Sequence, residues 1–231
     1  MKKTLIICSI VLVAMSVCQN TMAQEKPTYW SSGGEFIFSF ANVKKNNVEL
    51  NNVVRFTLFL HIQQYINKDF SEKAGFYSGF SLKNIGFIYD EANGIRKKMR
   101  TYNFGIPLAF KYGDLKHDFF FYGGGQYDLV VNYKEKTFEN NNKSKFNSWF
   151  SDRTPRFVPS LFAGVQFPYG SNLRFTYYPQ NFLNPDFIET DGNGVNVKPY
   201  EGMDARVFSI SLSFMIYHRD GMKFKEMYKY D

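Results

Sequence analysis

Arg100-Thr101-Tyr102-Asn103-Phe104-Gly105-Ile106-Pro107-Leu108-Ala109-Phe110-Lys111-Tyr112 is the stretch that decides the fold. Tyr102, Phe104, Ile106, Leu108, Phe110 and Tyr112 fall on one face of an extended chain, and Thr101, Asn103, Gly105, Pro107, Ala109 and Lys111 on the other. Successive side chains of an extended backbone point in opposite directions, so a period of two means a strand with unlike faces. Arg206 to Tyr217 repeats the rule, with Phe208, Ile210, Leu212, Phe214 and Ile216 against Val207, Ser209, Ser211, Ser213 and Met215. From Val53 to Ile66, Val54, Phe56, Leu58, Leu60 and Ile62 oppose Arg55, Thr57, His61 and Gln63, with Phe59 an apolar intruder on the polar face. Further strands are predicted near 33–42, 76–89, 118–133, 157–168 and 172–178, which makes eight. Residues 76–89 are apolar on both faces and carry Gly79 and Gly86, so their orientation stays open and a bulge is expected there. No helical period and no internal repeat beyond the hairpin rhythm accompanies these strands.

The chain has 231 residues, and its first 23 read as an export signal. Lys2 and Lys3 form a basic start, Leu5 to Val17 an apolar stretch, and Thr21-Met22-Ala23 a small-x-small cleavage site. That stretch is too short to span a bilayer, and nothing downstream approaches spanning length, so helical insertion is excluded for the mature chain. Cys8 and Cys18 both lie in the leader, which leaves the mature part without a disulfide or a cysteine metal site. Val17 before Cys18 is a poor match to a lipoprotein signal. All 44 aromatic residues (26 Phe, 16 Tyr, 2 Trp) fall in the mature part, which carries 26 basic and 21 acidic side chains. A net charge of +5 so dispersed is no nucleic-acid footprint.

Alternation alone does not say which face is wet, since a soluble barrel also alternates but turns its apolar face inward. The other face decides. Facing water, it would be rich in Lys and Glu; instead it carries Ser, Thr, Gly, Asn, Gln and Ala with isolated Arg55, Lys111, Asp128 and Arg174. Small neutral groups suit the narrow lumen of an eight-stranded barrel, whose interior side chains just fill. Tyr29, Trp30, Tyr89, Tyr112, Tyr133, Tyr177, Tyr178 and Tyr217 gather at strand ends, where they suit interfacial girdles. The expected architecture is all-β: an eight-stranded antiparallel transmembrane barrel over 24–217, with a C-terminal tail at 218–231. Connections at 113–117 and 169–171 are tight, whereas 134–155 and 179–203 are long, the asymmetry of short periplasmic turns and long outer loops.

The run Tyr102-Asn103-Phe104-Gly105-Ile106-Pro107-Leu108 before Lys111-Tyr112, with Gly123-Gly124-Gly125 leading to Tyr127 and Phe162-Ala163-Gly164-Val165, resembles the outer-membrane barrel domain common in Bacteroidota, PorT-like or OmpA-barrel-like. The likeness covers roughly 30–217. Gly105 stands where that group commonly carries an acidic residue, and the tail after Tyr217 extends past the usual aromatic closing strand. The resemblance implies an outer-membrane location, lipids and lipopolysaccharide as surroundings, and barrel-assembly machinery as the partner during biogenesis.

Function is expected to lie in the outer loops, as a structural or surface-interaction role with an extracellular or envelope protein as a possible partner class. Phe146, Trp149 and Phe150 are candidate contact residues, since aromatic anchors concentrate binding energy. They have a second reading, as an inward lid. The loop at 134–155 is net +2 and that at 179–203 net −3, so the two should draw together over the mouth. Arg96, Lys97, Lys98 and Arg100 form a candidate lipopolysaccharide contact. Glu35, Arg55, Asp128 and Arg174 are read as a lumen polar network that fixes register and blocks the pore. A lipid-modifying hydrolase or acyltransferase is the alternative, with His61 as its candidate base, and a small-solute pore is another. Glu189, Asp191, Asn193 and Gly194 mimic the opening of a calcium loop, but the twelfth position falls on Tyr200, so no metal and no cofactor is expected.

Overall fold

The structure is a computed structural model that describes residues 28–91, 94–140, 142–190 and 192–219. The export signal, Asp191 and the tail beyond Arg219 lie outside them. The strands are β1 (Tyr29–Lys45), β2 (Val48–Glu49), β3 (Asn51–Val53), β4 (Arg55–Thr57), β5 (Ile62–Asp69), β6 (Ala74–Asp90), β7 (Arg96–Asp114), β8 (Phe119–Glu139), β9 (Asn142–Trp149), β10 (Phe157–Gln166), β11 (Ser171–Tyr178), β12 (Glu189–Thr190), β13 (Asn196–Val197) and β14 (Met203–His218).

Eight of these close a ring in the order β1-β5-β6-β7-β8-β10-β11-β14, and β14 returns to β1. Every pairing is antiparallel. Closure leaves no free edge strand, the condition for a sheet to cross hydrocarbon, and where strand pairing to β6 lapses over 83–87 the side chains of Arg55 and Ser39 donate to the Asn84 and Gly86 carbonyls. Three tight connections, 69–74, 114–119 and 166–171, share one end with Tyr29 and His218. This turn end opposes a loop end that carries the 90–96 connection, the β8–β9 hairpin and the chain from 179 to 202.

The surface is the inverse of a soluble protein's. On β7 Phe104, Ile106, Leu108 and Phe110 are exposed, while Thr101, Asn103, Ala109 and Lys111 are buried. β14 and β1 repeat this with Leu212, Phe214 and Ile216, and Phe36, Phe38 and Phe40, outside. An apolar belt around a polar interior is the construction of a transmembrane barrel of the outer-membrane type.

Three sequence expectations change. The bulge expected in 76–89 lies next door: β6 keeps unbroken register with β7, and its odd-numbered residues face inward. The second crossing instead breaks between β4 and β5, where Leu60 takes φ 59° and the register against β1 slips from Ile37↔Thr57 to Gly33↔Gln63. That two-residue surplus swings Phe59 out to 71% exposure, which removes the intruder from the polar face. The aromatic girdle also contracts. Trp30 and Tyr112 point outward, but Tyr29, Tyr89, Tyr133 and Tyr178 are buried inside. Finally, 134–155 is no irregular loop, because β8 runs on to Glu139 and β9 returns beside it through eight residue pairs.

Candidate functional site

The lumen is stacked in layers. At the turn end Tyr65, Tyr77, Phe120, Tyr122, Phe162 and Met215 form one apolar cluster, and at the loop end Phe87, Tyr89, Met99, Tyr133, Phe182 and Leu183 belong to another. Between them lies a polar waist. Glu35, Asp128 and Arg174 are buried there, as the strand parity requires, and Arg55 is buried elsewhere, beside Asn84 at the seam between β4 and β6. Asp128 and Arg174 meet through Gln126, not directly: Gln126 Oε1 accepts from Arg174 Nη2 at 3.2 Å and from Lys83 Nζ at 3.1 Å, while its Nε2 donates to Asp128. Lys83 also lies 3.9 Å from Glu35 Oε1. Arg174 stacks its guanidinium 3.7 Å from the ring centre of Phe162 and donates to the Tyr65 hydroxyl.

Arg55 stands apart from that group. Both its terminal nitrogens donate to Asn84, one to the side-chain oxygen and one to the backbone carbonyl. Two members of the waist, Gln126 and Lys83, escaped the sequence reading: Gln126 is uncharged, and Lys83 sits in the segment whose facing was unresolved. Gly105 supplies the room they need. It pairs with Asp128 across β7 and β8, and a Cβ there would fall 2.0 Å from Asp128 Oδ1 and 2.2 Å from Gln126 Nε2.

At the turn end Lys111 Nζ lies 2.8 Å from Asp69 Oδ1 and donates to Asn67 and to the Tyr29 hydroxyl. Arg219 folds back from the last strand onto Asp118 at 2.6 Å, donates to the Leu115 carbonyl, and faces the rings of Tyr29 and Tyr217. Burial pushes the Asp118 carboxyl above its usual range against the pull of Arg219.

The loop end is capped. Phe182 and Leu183 drop into the apolar cluster, Phe182 edge-on to Phe87. Arg153 fastens the cap: its Nη2 lies 2.6 Å from Glu189 Oε1, its Nη1 donates to the Tyr200 hydroxyl at 2.9 Å, and its guanidinium covers the rings of Phe146 and Phe187. Burial pushes the Tyr200 phenol up to about 12, with nearby Glu135 adding to the shift. The two long connections meet over the mouth, as their opposite charges lead one to expect. β9 divides the three candidate contact residues. Phe146, still 41% exposed, faces in towards Tyr133 and Arg153, whereas Trp149 and Phe150 are exposed at 68% and 52%.

The four basic residues of the 96–100 cluster are divided as well. Arg96 contacts both carboxylate oxygens of Asp90, at 2.6 and 3.0 Å, and Lys97 lies 3.0 Å from Glu91. Lys98 and Arg100 have no carboxylate partner among the described residues. His61 is buried in the lumen, its Nδ1 2.7 Å from the Glu35 carbonyl oxygen, well below the loop end. Glu189, from the calcium-like stretch, is engaged with Arg153, and β12 and β13 there form a small hairpin. Among the described residues no group of three or more His, Cys, Asp or Glu side chains converges on a metal position. Two small voids, about 20 and 10 Å³, interrupt the packing, and each has room for about one water molecule.

No protein-family model matches this chain, and no curated protein matches it. Among solved structures, it is similar to the attachment invasion locus protein Ail of Yersinia pestis, crystallised with the heparin analogue sucrose octasulfate, at 12% identity over 81% of this chain and 99% of that one, TM-score 0.38. Neisserial surface protein A (NspA) matches at 10% identity over 83% of this chain and 99% of the other, TM-score 0.39. The outer membrane protein OprG of Pseudomonas aeruginosa matches at 11% identity over 84% and 98%, TM-score 0.35.

Proposed function

We propose that the protein is a plugged outer-membrane barrel that presents a recognition surface at its loop end and carries out no chemistry of its own. The observation that carries this reading is the opposed facing of Phe146 and Trp149 on β9. Phe146 is packed under Arg153 in the cap, while Trp149, in the same cross-strand row as Asn132 and Tyr102, points outward just above the apolar belt, and the adjacent Phe150, also exposed, has Arg156 over its ring at 6.0 Å. A large aromatic ring held exposed on rigid backbone is a ready binding anchor. The partner class that suits it is an extracellular or envelope protein.

The filled waist, the apolar layers on both sides of it and the cap all favour a plug over a small-solute pore. A lipid-modifying enzyme would set a nucleophile, a base and a carboxylate together at the rim, and His61 sits in the lumen with its Nδ1 against a backbone carbonyl. The narrower affiliation to the Bacteroidota-type barrels rests on the Tyr102 to Tyr112 strand and its Ile-Pro-Leu core. The barrel-assembly machinery is the partner proposed for biogenesis, since a closed sheet has to be sealed in the membrane.

The test is Trp149→Ala in living cells, with a photo-crosslinking residue placed at position 150. The variant should keep a full level of barrel that migrates differently before and after boiling, and should lose the cross-links formed by the parent. Cross-links unchanged by the substitution would remove the recognition role, and loss of the barrel would make Trp149 a structural residue.

A further inference from the structure

Above the apolar belt the outward faces of β7, β8 and β9 carry basic side chains in register. Lys98 pairs with Lys136 and Lys136 with Lys145, which sets three ammonium groups in one row across three strands. The row below joins Arg100 to Lys134 and Asn147, and the row above ends on Lys143 beside Phe138. Directly paired residues of an antiparallel sheet project on the same side, so all six cations share one face. Like charges set opposite one another destabilise a sheet, and a face of six needs a reason.

No carboxylate forms an ion pair with Lys98, Arg100, Lys134, Lys136, Lys143 or Lys145 among the described residues. Of the acids nearby, Asp90 is engaged with Arg96, Glu91 with Lys97, and Glu135 with the Tyr133 and Tyr200 hydroxyls on the inner face, while Glu139 stands at the hairpin tip opposite Asn142. Desolvation first, and then Lys143, Arg100, Lys145 and Lys134, hold the Lys136 ammonium below its usual pKa. Arg100 and Lys134 both lie over the Tyr102 ring, at 5.8 and 5.2 Å, and Phe104 and Ile106 continue the same face down into the apolar belt. The cations therefore stand on the lipid side of the wall, two residues (Arg100, Lys134), four residues (Lys98, Lys136, Lys145) and six residues (Lys143) above the Tyr102 row, at the level where a leaflet carries its headgroups.

We infer that this three-stranded face binds the phosphate groups of a phosphorylated outer-leaflet glycolipid, with Lys98, Lys136 and Lys145 as its central row. The inference rests on the outer-membrane reading above and names a ligand class for a surface that reading leaves unused. Charge-assisted hydrogen bonds to phosphate oxygens relieve the crowding of cations, and the acyl chains continue along Phe104 and Ile106. Arg96 and Lys97 drop out of the site because Asp90 and Glu91 neutralise them.

The test uses the full mature protein folded in detergent and titrated with bisphosphorylated lipid A, with enzymatically dephosphorylated lipid A, inorganic phosphate and soluble heparin as parallel probes. Bisphosphorylated lipid A should bind at least tenfold more tightly than the dephosphorylated lipid. Lys136→Gln with Lys145→Gln should lose at least tenfold, while Lys116→Gln in a turn at the opposite end should change nothing. Equal binding of the two lipids, or an unaffected double variant, overturns the inference. Tighter binding of heparin or inorganic phosphate than of bisphosphorylated lipid A overturns the lipid assignment. Barrel formation is scored separately by migration before and after boiling, so a protein that never forms a heat-modifiable barrel refutes the outer-membrane reading itself. Lys98→Gln with Lys143→Gln, away from the β8 hydrogen-bonded core, is the second variant should the first not fold, and the same tenfold loss is required of it.

Discussion

Arg153 holds its guanidinium 4.2 Å from the ring centre of Phe146 and 2.6 Å from the Glu189 carboxylate, so one side chain ties the β9 hairpin to the connection between β11 and β14. Neither long segment has an apolar core of its own large enough to fix it. The joint supplies what each lacks: a buried cation satisfied from both sides.

Arg153→Ala should release the cap. Stranding Glu189 and uncovering Phe146 is expected to cost about 1–3 kcal/mol, below the full cost of a buried pair because Glu189 is partly exposed. Hydrogen exchange of the 179–202 backbone should rise while that of β7 and β8 stays constant. Exchange unchanged in the cap would show that Phe182 and Leu183 hold it without the arginine.

The waist should show coupling along the contacts seen, and not along charge alone. Lys83→Met strands Glu35 and part of Gln126, with an expected loss of about 3–5 kcal/mol, and Lys83→Met with Glu35→Gln should lose less than the sum of the single changes. For Asp128 and Arg174 the non-additivity should disappear in a Gln126→Leu background, since Gln126 bridges them. Denaturant titration in detergent measures all of these, and persistence of the coupling without Gln126 would mean direct contact.

Gly105→Ala should destabilise the barrel by about 1–3 kcal/mol through overpacking against Gln126 and Asp128. Asp128→Ala should recover part of that loss in the double variant. A neutral Gly105→Ala would show that the waist relaxes readily.

Orientation is open to a protease applied to intact cells. Cleavage is expected near 140–142 and within 184–202, with 69–74, 114–119 and 166–171 spared. Peptide mapping that found the short turns cut instead would invert the topology.

The strands were legible because lipid imposes alternation: an outward residue on β7 or β14 has to be apolar, and a polar one facing lipid is costly. Above the belt that rule lapses, and β9, Asn-Lys-Ser-Lys-Phe-Asn-Ser-Trp, alternates Lys with Ser and Phe in a pattern no burial rule marks as a strand. β8 hides its upper half for a second reason. A register shift beside Tyr102 and Asn103 changes its parity, so Asp128 faces in with the even residues and Tyr133 with the odd. Tyrosine misled as well, because a ring with one polar tip suits a headgroup boundary and a narrow lumen alike. Asp128 and Arg174 could be placed inside from parity, but their partners could not, because which amide reaches which charge depends on neighbours brought together only by barrel closure; parity also put Arg55 among them, whereas its guanidinium bonds Asn84 at the β4–β6 seam.

A barrel made from one chain has a single joint that no turn bridges, here β14 against β1, and sixteen residue pairs lace it. On the other side of β1, β2 contributes two pairs, β4 three and β5 five, with Leu58 to His61 standing off between the last two. The two ends of the chain are therefore stitched together more firmly than two consecutive crossings are. The weakest seam of the wall therefore lies beside Phe59, and β1 belongs by its pairing to the last strand of the protein more than to the next one.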